Sequence, residues 1–178
     1  RFNLDGSIDN SFGTNGSFIW SSPLDESDYA NSLALQPDGR IVVTGAAATM
    51  KNSSMTTLRL LPNGTLDSTF GQYGVATYAG LSGSYAYPYG VITQQDGKVV
   101  VAGASDDNTG SRHAIVIRYT PDGLPDHSFG FDGLFVFGGL SMKENVANGL
   151  VLQPDQAIVV TGYANNGLYD SVLTFRLK

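Results

Sequence analysis

Arg1, Arg59, Arg118 and Arg176 each sit inside an otherwise apolar stretch, and an aspartate stands eight residues after the first three, at Asp9, Asp67 and Asp126. A guanidinium buried in an apolar strand needs a partner, and a carboxylate supplies one through charge-assisted hydrogen bonds. The spacing predicts structural ion pairs, Arg59 with Asp67 and Arg118 with Asp126, in preference to an anion-binding ring. Carboxylates or amides also recur in pairs along the same loops: Asp5 and Asp9, Asn63 and Asp67, Asp122 and Asp126. Such oxygens suit a hard cation, but each loop offers only one or two carboxylates and lacks the denser run ending in Glu of an EF-hand. The same side chains suit Asx turns, so no metal is expected.

The inventory for catalysis is thin. His113 and His127 stand in unrelated surroundings, and neither a Gly-x-Ser-x-Gly nor a His-Glu-x-x-His stretch occurs. With no cysteine, thiolate nucleophiles, thiolate metal sites and disulfides are out of reach. A glycosidase-like carboxylate pair is tested by distance in space, and Asp25, Glu26, Asp28, Asp106, Asp107, Glu144 and Asp170 are the acids outside the recurring turns. We expect no enzyme, no catalytic residue and no cofactor; the rival readings are a carbohydrate-active enzyme and a calcium-stabilised sugar-binding module.

Net charge is -6, with an isoelectric point near 4.6 and no stripe of Lys or Arg, which argues against nucleic acid or anionic lipid as a partner. No apolar run approaches 18 residues and the amino terminus does not read as a signal peptide, so no membrane insertion is expected.

The elements that hold these residues are written as a repeat. Asp5-Gly6-Ser7-Ile8-Asp9-Asn10-Ser11-Phe12-Gly13 returns from Asn63 to Gly71 and again from Asp122 to Gly130, while Gln36-Pro37-Asp38-Gly39-Arg40-Ile41-Val42-Val43-Thr44-Gly45 returns up to Gly103 and up to Gly162. The period is about 58 residues, giving one repeat domain, 1–178, with units of approximately 1–58, 59–117 and 118–178. Each period carries four strand signals, in the first Ser17–Trp20, Ser32–Gln36, Arg40–Thr44 and Thr56–Leu61. The third is apolar on both faces (Ile41, Val42, Val43 and their counterparts), as in a strand between two sheets, and should be the most buried. The turn before it has Gly39 and Gly97 but Gln156 in the third period, which predicts strain there. Phe12, Phe70 and Phe129 read as plugs between units. Tandem four-stranded antiparallel units predict an all-β fold of β-propeller blades, with a threefold closed β fold such as a β-trefoil as the alternative. A propeller needs four to eight blades. Three therefore imply a longer repeat array or a homo-oligomer.

The recurring strand Arg, Asp/Asn-Gly-x-x-Asp-x-x-Phe-Gly-x-x-Gly and Gln-Pro-Asp-Gly-Lys/Arg-Ile/Val-Val-Val-x-Gly resemble the bacterial delta-60 repeat over the whole chain, in three copies, with Asn63 and Gln156 as departures. The resemblance implies a β-propeller-type array in secreted or cell-surface bacterial proteins, often beside adhesion modules, and no catalytic residues.

What differs between periods is where binding is expected, since a scaffold frees its loops. Two loops vary: SSPLDESDYA, GLSGSYAYPY and GGLSMKENVA, then AAATMKNSS, ASDDNTGSRH and YANNGLYD. In an up-and-down unit both emerge on one face. Tyr85, Tyr87 and Tyr89 with Pro88, joined by Tyr29 and Tyr163, form the candidate ligand-binding patch, suited to stacking on a glycan or docking a surface protein. The expected role is adhesion, recognition or spacing, without enzymatic activity.

Overall fold

A computed structural model describes residues 1–23, 27–49, 51–138 and 143–178. Leu24–Glu26, Met50 and Gly139–Met142, which fall in the variable loops, lie outside the described residues. The strands are β1 (Ser27–Leu35), β2 (Ile41–Ala48), β3 (Ser53–Leu60), β4 (Val75–Tyr78), β5 (Ala86–Thr93), β6 (Val99–Asp106), β7 (Arg112–Tyr119), β8 (Leu134–Phe137), β9 (Glu144–Leu152), β10 (Ile158–Asn165) and β11 (Asp170–Leu177). A 3₁₀ turn, Leu81–Gly83, separates β4 from β5. The fold is all-β. Strands adjacent in sequence pair antiparallel as β1–β2–β3–β4, β5–β6–β7–β8 and β9–β10–β11, and a parallel bridge of Arg112 with Glu144 joins the second set to the third. Among the described residues the sheets stack in open succession and do not close on themselves, which sets aside the closed threefold alternative.

The phase of the units differs from the sequence division. Ser17–Trp20 forms no strand; its neighbourhood contributes a bridge between Thr14 and Ser17. Its counterparts β4 and β8 do not open a unit but finish one, pairing with β3 and β7. The reason lies in the loop between them. Asp67 N–H bonds the Arg59 carbonyl at 2.8 Å and Arg59 N–H bonds the Gly74 carbonyl at 3.2 Å, so the chain folds back onto the sheet it left. Sheets therefore run 27–78, 86–137 and 144–177, and the third has three strands where four were expected.

Two apolar interfaces hold the stack. Val42, Met55 and Phe70 of the first unit meet Val91, Val101 and Ile115 of the second, and Val100, Ala114 and Phe129 of the second meet Ile158, Val160 and Leu173 of the third. The strand expected to be most buried is so in the second unit, where every residue from Val99 to Ser105 is buried. In the first, Ile41 and Val43 are only partly buried.

β1, β5 and β9 each carry one extra residue, Asn31, Tyr89 and Asn148, seen as a slip in pairing with the next strand. Such a bulge twists the strand and presses its backbone toward the partner. Gly45, Gly103 and Gly162 stand opposite, and a Cβ there would fall on the carbonyl oxygen of Tyr29, Tyr87 or Val146. The glycine that ends the Val-Val-x-Gly motif is thus fixed by close approach.

Candidate functional site

On the side of the recurring turns, the loop residues are occupied with one another. Arg59 Nε donates to Asp67 Oδ2 at 2.8 Å, and Arg118 Nε to Asp126 Oδ2 at 2.8 Å. The other carboxylate oxygen accepts from the hydroxyl and the N–H two residues on, Thr69 at 2.6 and 3.1 Å and Ser128 at 2.7 and 3.1 Å. Burial opposes ionisation of Asp67 and Asp126, but these hydrogen bonds and the arginines outweigh it and hold both carboxyls below the ordinary value. Each arginine also lies over its phenylalanine plug, Arg59 4.8 Å from the Phe70 centroid and Arg118 4.5 Å from that of Phe129. Arg1 repeats the pattern with Asp9, Ser11 and Phe12. Arg176 pairs instead with Gln153 and Asp155. The signal that sequence reasoning passed over is the hydroxyl at the second residue after each aspartate.

The variable loops meet on the opposite side. At the far end of each central hairpin the register pairs Ala48 with Ser53, Asp106 with Arg112 and Asn165 with Asp170, so one scaffold position carries neutral groups, an ion pair and an amide–carboxylate pair in turn. In the second unit Arg112 grips Asp106 through Nε at 2.6 Å and Nη2 at 3.1 Å, and reaches Glu144 of the third unit through Nη1 at 3.2 Å. Tyr163 donates its hydroxyl to the same Glu144 oxygen at 2.9 Å. Arg112 also covers the Tyr87 ring, 4.7 Å from its centroid, and Tyr87 stacks on Tyr85 with centroids 6.1 Å apart and planes 4° from parallel. The Asp106 hydrogen bonds drive the Arg112 pKa well up, so it stays a cation. Burial and the Glu144 bond push Tyr163 up to about 12, and burial raises Tyr87 and Tyr89. These phenols remain neutral donors at neutral pH.

A polar cleft of about 440 Å³ opens beside this cluster, lined by Asp106, Gly110, Arg112, Lys143, Glu144, Asn165 and Gly167. Backbone bonds set its walls: Arg112 N–H to the Lys143 carbonyl at 3.0 Å and Lys143 N–H to that of Asn165 at 3.1 Å. His113 leans on Asp107 at 2.8 Å near the rim. Of the five tyrosines singled out from sequence, the structure places Tyr85, Tyr87 and Tyr163 in one network with Arg112 and Glu144, and leaves Tyr89 partly exposed on the same strand as Tyr87. Tyr29, 59% exposed, does not join them; it lines a groove on the outer face of the first unit. Arg112 organises the cluster and was missed, because its importance lies in the two carboxylates brought to it by separate strands. Its one legible sign is that it breaks the repeat.

No curated protein matches the chain. Residues 36–70 and 94–129 are similar to the family described as a domain of unknown function (DUF5122) beta-propeller. Each matched segment starts at the turn glutamine before β2 or β6 and ends on a phenylalanine plug, Phe70 or Phe129, so it contains the motifs that build the stack. The chain is an all-β protein carrying repeats of β-propeller type.

Proposed function

We propose that the chain is a run of three delta-60-type propeller blades, with a period of about 58 residues, that serves as a non-enzymatic recognition module of a secreted or cell-surface bacterial protein. Its contact surface is the loop face between the second and third units, and its partner is a glycan or a surface protein. The observation that carries this reading is the Arg112 cluster itself: charges and aromatics concentrate at a position that the scaffold leaves neutral in the first unit, Ala48 with Ser53. A stacked tyrosine pair beside a polar cleft with fixed donors and acceptors suits a hydroxyl-rich ligand. Both cleft carboxylates are tied to one arginine, which fixes them as acceptors in the wall of the cleft.

A glycan array and a pull-down from bacterial surface extracts, each run with wild type and with Arg112→Ala and Tyr89→Ala, test the reading. Binding that falls at least about tenfold in both variants, the equivalent of 1.4 kcal/mol, supports it. Binding that ignores both substitutions removes the loop face as the contact surface, and no binding at all leaves the chain as a spacer.

A further inference from the structure

We infer that the outer face of the first unit is an interface for a second copy of this chain, whose third unit seats on it head to tail. The groove there has a volume of about 720 Å³ and is lined by Phe18, Trp20, Leu33, Leu35, Val43 and Leu58 among others. Leu33 and Leu35 are 64% and 67% exposed. By register, Leu33, Val43, Leu58 and Leu60 stand where the second unit has Val91, Val101, Ile117 and Tyr119, all buried against the first unit. The open face is therefore built like one that already docks a unit of this repeat.

The complementary face is present on the third unit. Val42 and Met55 of the first unit cover the second, and Val100 and Ala114 of the second cover the third. Their counterparts in the third unit are Val159 and Val172, and Val172 is 86% exposed, as is Val151 beside them at 59%. Each open face thus finds its mate's likeness inside the molecule. The segment Ser17–Trp20 supports the same docking: it holds the position of β4 and β8 but has no strand of its own to pair with, while the outer edge of β11 is free among the described residues. Copying the pairing of Met55 with Tyr78 and Leu58 with Val75 sets Val172 opposite Trp20 and Phe175 opposite Ser17 of the second copy. Two such contacts between two copies close a ring of six units, within the four to eight of propellers, as a heterologous interface does when its rotation closes.

Light scattering on the 178-residue chain should give twice 18.8 kDa. Leu33→Glu and Val172→Glu each change a side chain exposed in the single chain, so the fold, read by circular dichroism, stays; each variant alone should run as a monomer. An equimolar mixture should regain a dimer through the one interface that is wild type on both sides. Emission of Trp20, the single tryptophan, should move to shorter wavelength as association covers it. A wild-type monomer at every concentration reached, an open-ended ladder of masses, or a dimer that survives Val172→Glu overturns the inference.

Discussion

The first and second units carry almost the same central strand, Ile41-Val42-Val43 against Val99-Val100-Val101, yet only the second is buried throughout. All three valines of the second are at most 1% exposed, because units press on both of its faces, while in the first only Val42 has a neighbour. Burial in a stacked repeat is supplied by the next unit rather than by the strand's own residues, so identical sequences are worth different amounts of stability at different positions.

Truncating the plugs should widen this contrast most. Phe70 is wholly buried between the first and second units, and Phe70→Ala should cost about 3–5 kcal/mol in urea unfolding. Phe12 is buried too but borders the open groove rather than a docked unit, so the same change there should cost less than Phe70→Ala. Equal losses would show that the first unit is covered in solution.

The ion pairs should follow the same order. Arg59 and Asp67 are 6% and 3% exposed, and Asp67→Asn, leaving a buried guanidinium without its anion, should cost about 3 kcal/mol. Asp9→Asn, in the more exposed copy, should cost clearly less. The pH dependence has a defined sign. Because Asp67 and Asp126 ionise at lower pH folded than unfolded, their contribution is full above the ordinary carboxylate value of about 4 and is lost as pH falls through their folded values. Wild type should therefore lose more stability between pH 7 and pH 3 than Asp67→Asn does; parallel losses would move the effect elsewhere.

The smallest effect concerns the turns. Gly39 and Gly97 sit at φ of +84°, and Gln156 occupies the same place at +67°, keeping the turn bond of its N–H to the Gln153 carbonyl at 2.9 Å. The missing glycine strains the turn without altering its path. Gln156→Gly should stabilise by about 1 kcal/mol and Gly39→Ala should destabilise by a similar amount, read as opposite shifts in Tm. A fall in Tm for Gln156→Gly would mean that the glutamine side chain contributes more than its backbone costs.

The architecture was legible in the sequence where it rests on recurrence. Motifs repeated in phase located the three strands that every unit shares, the turn glycines and the Arg–Asp spacing, because each is a local demand made again by every unit. The phase of the sheets was not legible. Ser17–Trp20, Val75–Tyr78 and Leu134–Phe137 read as the start of a unit, and only the hydrogen bonds around Arg59 and Arg118 show that β4 and β8 finish one. The loop cluster was half visible: aromatic composition pointed to Tyr85, Tyr87 and Tyr163, but Arg112 draws in Asp106 from the preceding strand, 6 positions away, and Glu144 from the next unit, 32 positions away, which no single-strand pattern encodes.

The loop that returns β3 to β4 also reaches across the boundary: Gly71 N–H bonds the Asp122 carbonyl at 2.7 Å, Arg59 bonds the Pro121 carbonyl, and Phe70 lies beneath Gly123. The same clasp joins Gly13 to Asn63, and Arg1 to Pro62. The first unit is therefore riveted to the second, and the amino-terminal loop to the first, by backbone hydrogen bonds as well as by apolar contact. A chain pulled from its two ends would load these rivets and the packed faces together, so that the first and second units slide apart only when both yield.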